Sequence, residues 1–132
     1  MLPLARKPSP NLTEAELRLM DIVWEKGAAT VNEVAESLPG DPPLAYNTVL
    51  TTLRILEQKG YLAHTKSKEG RAFIYEPVVG RKQARTNAMR HLISRFFGNS
   101  PESLVLNLLE DEELSGGELR RIRTLLAGGE KR

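Results

Sequence analysis

Few residues in this chain of 132 have side chains that commonly carry catalysis. His64 stands in a β-prone run and His91 in a helical one, with no HExxH, no GxSxG and no cysteine nucleophile beside either. Neither histidine has a catalytic setting, so both read as satisfied or solvated side chains. The acidic run EDEE at 110–113 would attract a cation, but it lacks the alternating spacing and glycine of a calcium loop and reads as a solvated helix end. LSGGE at 114–118 resembles the signature loop of ABC-type ATPases, yet no GxxxxGK[ST] loop accompanies it to hold phosphate. Ser115 and Glu118 fit instead as the N-cap and N3 residues of a capping box, with Leu114 and Leu119 as its hydrophobic staple. The chain has no cysteine, which excludes disulfides and thiolate metal sites. A non-enzyme with no cofactor and no metal is the expectation.

The remaining chemistry is electrostatic. Residues 1–40 carry 4 Lys+Arg against 6 Asp+Glu, residues 41–99 carry 10 against 4, and residues 100–132 carry 5 against 7. A basic middle between two acidic flanks fits a polyanion partner, and it also fits a solvated basic surface. Residues 42–56 contain no acid at all. Within them and just beyond, Asn47, Thr51, Arg54 and Gln58 recur at spacings of four, three and four, with Tyr46 and Thr48 near the start. On a helix this is one polar face of amide, hydroxyl and guanidinium groups, suited to base edges and phosphates, where carboxylates would be repelled. An ordinary solvated face has the same polarity.

The elements that must position that face are punctuated clearly. Thr13 with Glu16 forms a capping box stapled by Leu12 and Leu17; Leu17, Met20 and Trp24 follow at helical spacing, and Gly27 stops the first helix. Thr30 and Glu33 repeat the box for a two-turn helix with Val31, Val34, Ala35 and Leu38 inward, halted by Pro39 and Gly40. LAYNTVLTTLRILEQKG then makes a third helix that buries Val49, Leu53 and Leu56 and ends at Gly60. YLAHTKS and RAFIYEP are β-prone runs joined by KEG, a hairpin with Leu62, Phe73 and Tyr75 inward and Pro77 at its end. A fourth helix runs from about Gly80 to Phe97 and closes at Gly98, and Ser100 caps a fifth with Pro101 at N1.

Three helices followed by a basic hairpin is the order of a winged-helix DNA-binding domain, whose third helix enters the major groove while the hairpin lies on the backbone. Lys66, Lys68 and Arg71 cluster at the hairpin tip, and Arg6 and Lys7 stand in an N-terminal arm. Together they would neutralise several phosphates; as alternatives, the tip charges are solubilising and the arm is merely disordered. The expected fold is mainly α with a small β-hairpin wing: 1–11 a flexible arm, 12–79 the winged helix, and 80–132 a helical dimerisation domain.

The tail carries apolar side chains beyond what one small domain needs. Leu92, Ile93, Phe96 and Phe97 end the fourth helix, Leu104, Val105, Leu108 and Leu109 fill the fifth, and Ile122, Leu125 and Leu126 line the sixth. Such surface asks for a partner; packing onto the first domain is the alternative. A two-fold homodimer would suit a palindromic double-stranded operator. Phe96, Phe97, Leu104, Leu108, Leu109, Ile122, Leu125 and Leu126 are the expected interface.

LTEAELRLMDIVWEKGAATVNEVAESL, YNTVLTTLRILEQKGYL, KEGRAFIYEPVV and SLVLNLLEDEELSGGELRRIRTLL closely resemble the BlaI/MecI family of bacterial penicillinase repressors, over residues 12 to about 127. The resemblance implies a homodimeric winged-helix repressor, held together by its C-terminal helices, of genes for β-lactam resistance or cell-wall response. It also implies release through a membrane-bound sensor metalloprotease pathway, by cleavage in the VLN segment between Asn107 and Leu108. Leu108, at the cleavage bond, stands where the family's repressors carry Phe; Asn47 stands where they tend to carry Lys and Leu50 where they tend to carry Arg or Gln, so the operator sequence does not carry over. A small-molecule-responsive regulator with a pocket between the domains, or a winged-helix protein-interaction module, are the rival readings. MLPLARKPSPN is short and proline-broken for a leader, and no run approaches the roughly 20 apolar residues of a span. A soluble protein of the bacterial cytoplasm, with no direct membrane insertion, is expected.

Overall fold

The structure is a computed structural model that describes residues 9, 11–40 and 44–128. Its elements run α1 (Glu14–Lys26), β1 (Ala29–Thr30), α2 (Val31–Ser37), α3 (Tyr46–Gln58), β2 (Leu62–Lys66), β3 (Phe73–Pro77), α4 (Arg81–Phe96), α5 (Pro101–Leu109) and α6 (Gly116–Gly128). They form two compact units, Met1–Met89 and Arg90–Arg132, with the division inside α4.

In the first unit the helix starts follow from local chemistry. The Thr13 hydroxyl accepts from the Glu16 amide at 3.1 Å while the Glu16 carboxylate accepts from the Thr13 amide at 3.0 Å. Thr30 and Glu33 repeat the exchange at 3.1 and 2.8 Å. Each box satisfies two amides that the helix itself cannot. Gly27, at φ 83°, takes the left-handed turn that ends α1, and its amide donates to the Val23 carbonyl at 2.7 Å.

The core gathers Leu19, Met20 and Val23 of α1, Val31 and Val34 of α2, and Val49, Leu53 and Leu56 of α3 around Tyr61, Leu62 and Tyr75. The inward face of α1 is therefore turned from the expected one. Leu17 is 43% exposed and Trp24 is half-buried, whereas Leu19 and Val23 take the interior. Leu17 and Trp24 flank the core on a face roughly a quarter turn away, and Trp24 Nε1 donates to the Val79 carbonyl at 2.8 Å.

The expected hairpin is part of a larger sheet. β3 lies between β2 and β1, both antiparallel to it, with Leu62 opposite Pro77, Lys66 opposite Phe73, and Ala29 and Thr30 opposite Tyr75 and Ile74. The two residues of β1 are too few to show a period, so nothing in their own sequence marks them as a strand. Between β2 and β3 the turn is closed by the Ser67 amide donating to Ala72 O and the Gly70 amide to Ser67 O, both at 2.8 Å. Gly70 adopts φ 70° there, a conformation glycine takes without steric cost.

Two residues expected in a flexible arm are tethered. The Ser9 amide donates to the Lys59 carbonyl, the Tyr61 hydroxyl donates to the Ser9 carbonyl, and Lys59 Nζ donates to the Asn11 carbonyl at 3.0 Å. Lys59 Nζ also reaches Glu16 at 2.7 Å, where only 8% of the Glu16 side chain is exposed. Burial pushes the Glu16 carboxyl up, but the Lys59 ammonium and the Thr13 amide outweigh it and hold the group below its ordinary value.

A folded pKa below the unfolded one contributes stability above the unfolded value, and that stability is lost as pH falls through the folded value. Lys59→Met is expected to cost about 1–3 kcal/mol at neutral pH, because it strands a buried carboxylate. The deficit should shrink as pH drops below the carboxylate range. Denaturant melts of both proteins across pH check it; a deficit independent of pH would place the loss elsewhere than in the ion pair.

In the second unit, the Ser100 hydroxyl accepts from the Ser103 amide at 3.1 Å to start α5 with Pro101 as its first residue. The Ser115 hydroxyl accepts from the Glu118 amide at 3.0 Å, and the Glu118 carboxylate accepts from the Ser115 amide at 2.8 Å. These bonds hold the exposed Glu118 carboxyl below its ordinary value. α5 and α6 contain no buried residue.

Candidate nucleic-acid interface

α3 presents the side chains that its spacing predicts. Val49, Leu53 and Leu56 are fully buried, while Tyr46, Asn47, Thr48, Thr51 and Arg54 are exposed on the other side. Its first turn holds no acid, and Ala45 offers no side chain to cap its amides. Unpaired amides at that end carry the positive pole of the helix, which favours an anion.

Fold topology brings part of this face beside the wing. Tyr46 and Leu50 of α3, Lys66 and Phe73 of the strands, Arg71 of the turn and Asn32 of α2 line one cleft of about 320 Å³. Lys68 is exposed on the same turn. Asn32 escaped the sequence reading; its signal was an exposed amide beside buried Val31 in the first turn of a capped helix. Arg6 and Lys7 lie outside the described residues.

Arg54 also serves the fold. Its guanidinium is close enough to the hydroxyl of buried Tyr75 to act on it electrostatically. Burial and the nearby Glu57 carboxylate push that phenol up, and Arg54 works against them. His64 Nδ1 lies 2.7 Å from Glu57 and its ring packs on Phe73 and Tyr75, with centroids 4.8 and 5.6 Å apart. The last acid of α3 is thus occupied by a histidine of the wing.

Elsewhere, the EDEE run ends α5 and turns the chain, with Asp111 Oδ1 accepting from the Glu113 amide at 2.9 Å. Among the described residues no group of three or more His, Cys, Asp or Glu could hold a metal ion, and no helix is long and apolar enough to cross a membrane.

A helix-turn-helix of α2 and α3 backed by α1, with a three-stranded sheet ending in a basic wing, defines a winged-helix protein of the regulator type. The sequence model of the penicillinase repressor family matches residues 12–128. The chain belongs to that family, whose members are transcriptional repressors and not enzymes. It is 32% identical over 120 residues to a penicillinase repressor of Bacillus licheniformis, covering 91% of this chain and 92% of that one. It is 27% identical over 116 residues to the methicillin resistance regulatory protein MecI of Staphylococcus aureus, covering 88% and 93%. Among solved structures it is similar to the DNA-binding domain of the repressor BlaI, at 33% identity and TM-score 0.49, over 59% of this chain and 93% of that one. It is also similar to Streptococcus pneumoniae FabT in complex with DNA, at 21% identity and TM-score 0.48, over 89% and 73%.

Proposed function

We propose that this chain is a homodimeric repressor that sets α3 in the major groove of each half of a palindromic operator and rests the wing on the flanking phosphates. The observation that carries this is the exposed, acid-free face of α3 beside Lys66 and Arg71. Family membership supports genes of β-lactam resistance or cell-wall response as its targets, and the bacterial cytoplasm as its place of work. The DNA-binding unit is residues 12–79, and residues 80–132 form the dimer.

Support for the dimer lies in what the second unit leaves in water. Phe96 is 69% exposed and Leu125 71%; Leu108 and Leu126 are exposed as well, and Phe97, Leu104, Leu109 and Ile122 are only partly covered. The Asn107–Leu108 bond, where a sensor metalloprotease pathway would end repression, lies in the last turn of α5. A protease needs that turn unwound, and the last turn of a helix is where fraying costs least.

Gel shifts on the protein's own promoter region at rising salt test the reading; absence of a salt-sensitive, sequence-selective complex would sink it. Asn47→Ala is expected to weaken operator binding by about 1–3 kcal/mol with folding and oligomeric state intact, as measured by footprint titration and sedimentation. Arg54→Ala should weaken binding too.

A further inference from the structure

A second concavity shares no lining residue with the wing cleft. Leu12, Leu17 and Trp24, Tyr61, and Ala84 and Ala88 of α4 enclose about 410 Å³ with Asp21, Arg81 and Arg85. That volume sits at the small end of the range for organic ligands.

The polar atoms of its two aromatic rings are already committed. Trp24 Nε1 donates to the Val79 carbonyl and the Tyr61 hydroxyl to the Ser9 carbonyl. The walls therefore offer apolar surface, and charge is confined to Asp21, Arg81 and Arg85. Arg81 lies 5.4 Å from the Trp24 ring centroid and 3.6 Å from the Asp21 carboxylate. Both members of that ion pair are more than half exposed, so it contributes little and yields readily to a better acceptor. Arg85 has no ion-pair partner among the described residues. The charged groups thus sum to one uncompensated positive charge beside an apolar space.

We propose that this groove binds a small organic monocarboxylate with an aromatic or alicyclic body, the body against Leu17 and Trp24 and the carboxylate on Arg85 and Arg81. A phosphate or a dicarboxylate is a poorer match, because the apolar walls would desolvate charge without pairing it. The site is separate from the surface assigned to DNA, and its test needs no nucleic acid.

Trp24 is the sole tryptophan of the chain, so its emission reports occupancy directly. The probes are 4-phenylbutyrate and its neutral and cationic counterparts, 4-phenylbutanol and 4-phenylbutylamine. The expected result is a saturable emission change with the acid, about tenfold weaker binding of the alcohol, and weaker binding still of the amine. Arg85→Gln should weaken the acid several-fold while leaving the alcohol unchanged. Ala88→Phe, which fills the space from an exposed position, should abolish binding of both, with circular dichroism confirming that it folds. No saturable change in the parent protein, equal binding of acid, alcohol and amine, or acid binding untouched by Arg85→Gln would each overturn the proposal. The parent titration and Arg85→Gln decide the matter even if Ala88→Phe does not fold.

Discussion

The double variant Phe96→Asp, Leu125→Asp is expected to sediment as a monomer at concentrations where the parent chain is a dimer, and to lose operator affinity by about 10²–10⁴-fold. These are the two most exposed large apolar side chains in the second unit. Each such side chain moved out of water is worth about 1.5–3 kcal/mol, and a two-fold interface counts it twice. Aspartate forfeits that gain and adds the cost of burying a charge. Once the protomers separate, each half-site is bound alone and the effective concentration supplied by the partner is gone. The DNA-binding unit has its own core and should keep its melting behaviour. A chain ending at Asn107 should behave alike, since it lacks all of α6. Undiminished affinity in either would remove dimerisation from the proposed account of repression and leave the proposed cut after Asn107 without a mechanism.

The double variant Lys66→Ala, Arg71→Ala should lower affinity for any DNA, operator or not, and flatten the dependence of log affinity on log salt by about two. Both side chains are exposed and line the cleft beside Tyr46. Phosphate contacts carry no base information, so the ratio of specific to nonspecific binding should hold. Asn47→Ala makes the opposite pattern, lower discrimination at an unchanged slope. If the salt slope of the wing variant matches that of the parent, the two cations are solvated surface and the wing does not touch the backbone.

Much of this was legible because the relevant physics is local. A capping box closes within four residues, so Thr13, Thr30 and Ser115 could be placed without knowing the fold. The two faces of α3 were readable for the same reason, since one helix's period sorts Val49 and Leu53 from Asn47 and Thr51. The phase of α1 was not, because Leu17 and Trp24 are as apolar as Leu19 and Val23 and only the position of the other helices decides between them. Contacts between distant segments were also hidden. Lys59 holds Asn11 and Glu16, Arg54 meets Tyr75, and Asn32 lines a cleft with Arg71; each depends on folding the chain back on itself. The apolar tail could be read as unpartnered because α5 and α6 are short and carry more leucine than either can shelter.

β1 has a mechanical meaning. Its two residues bridge to Tyr75 and Ile74 in the strand that carries the wing, and one of them, Thr30, is also the cap on which α2 starts. The strand that carries the wing is thus pinned by backbone pairing to the residue that starts α2, so the wing and the helix-turn-helix share one anchor.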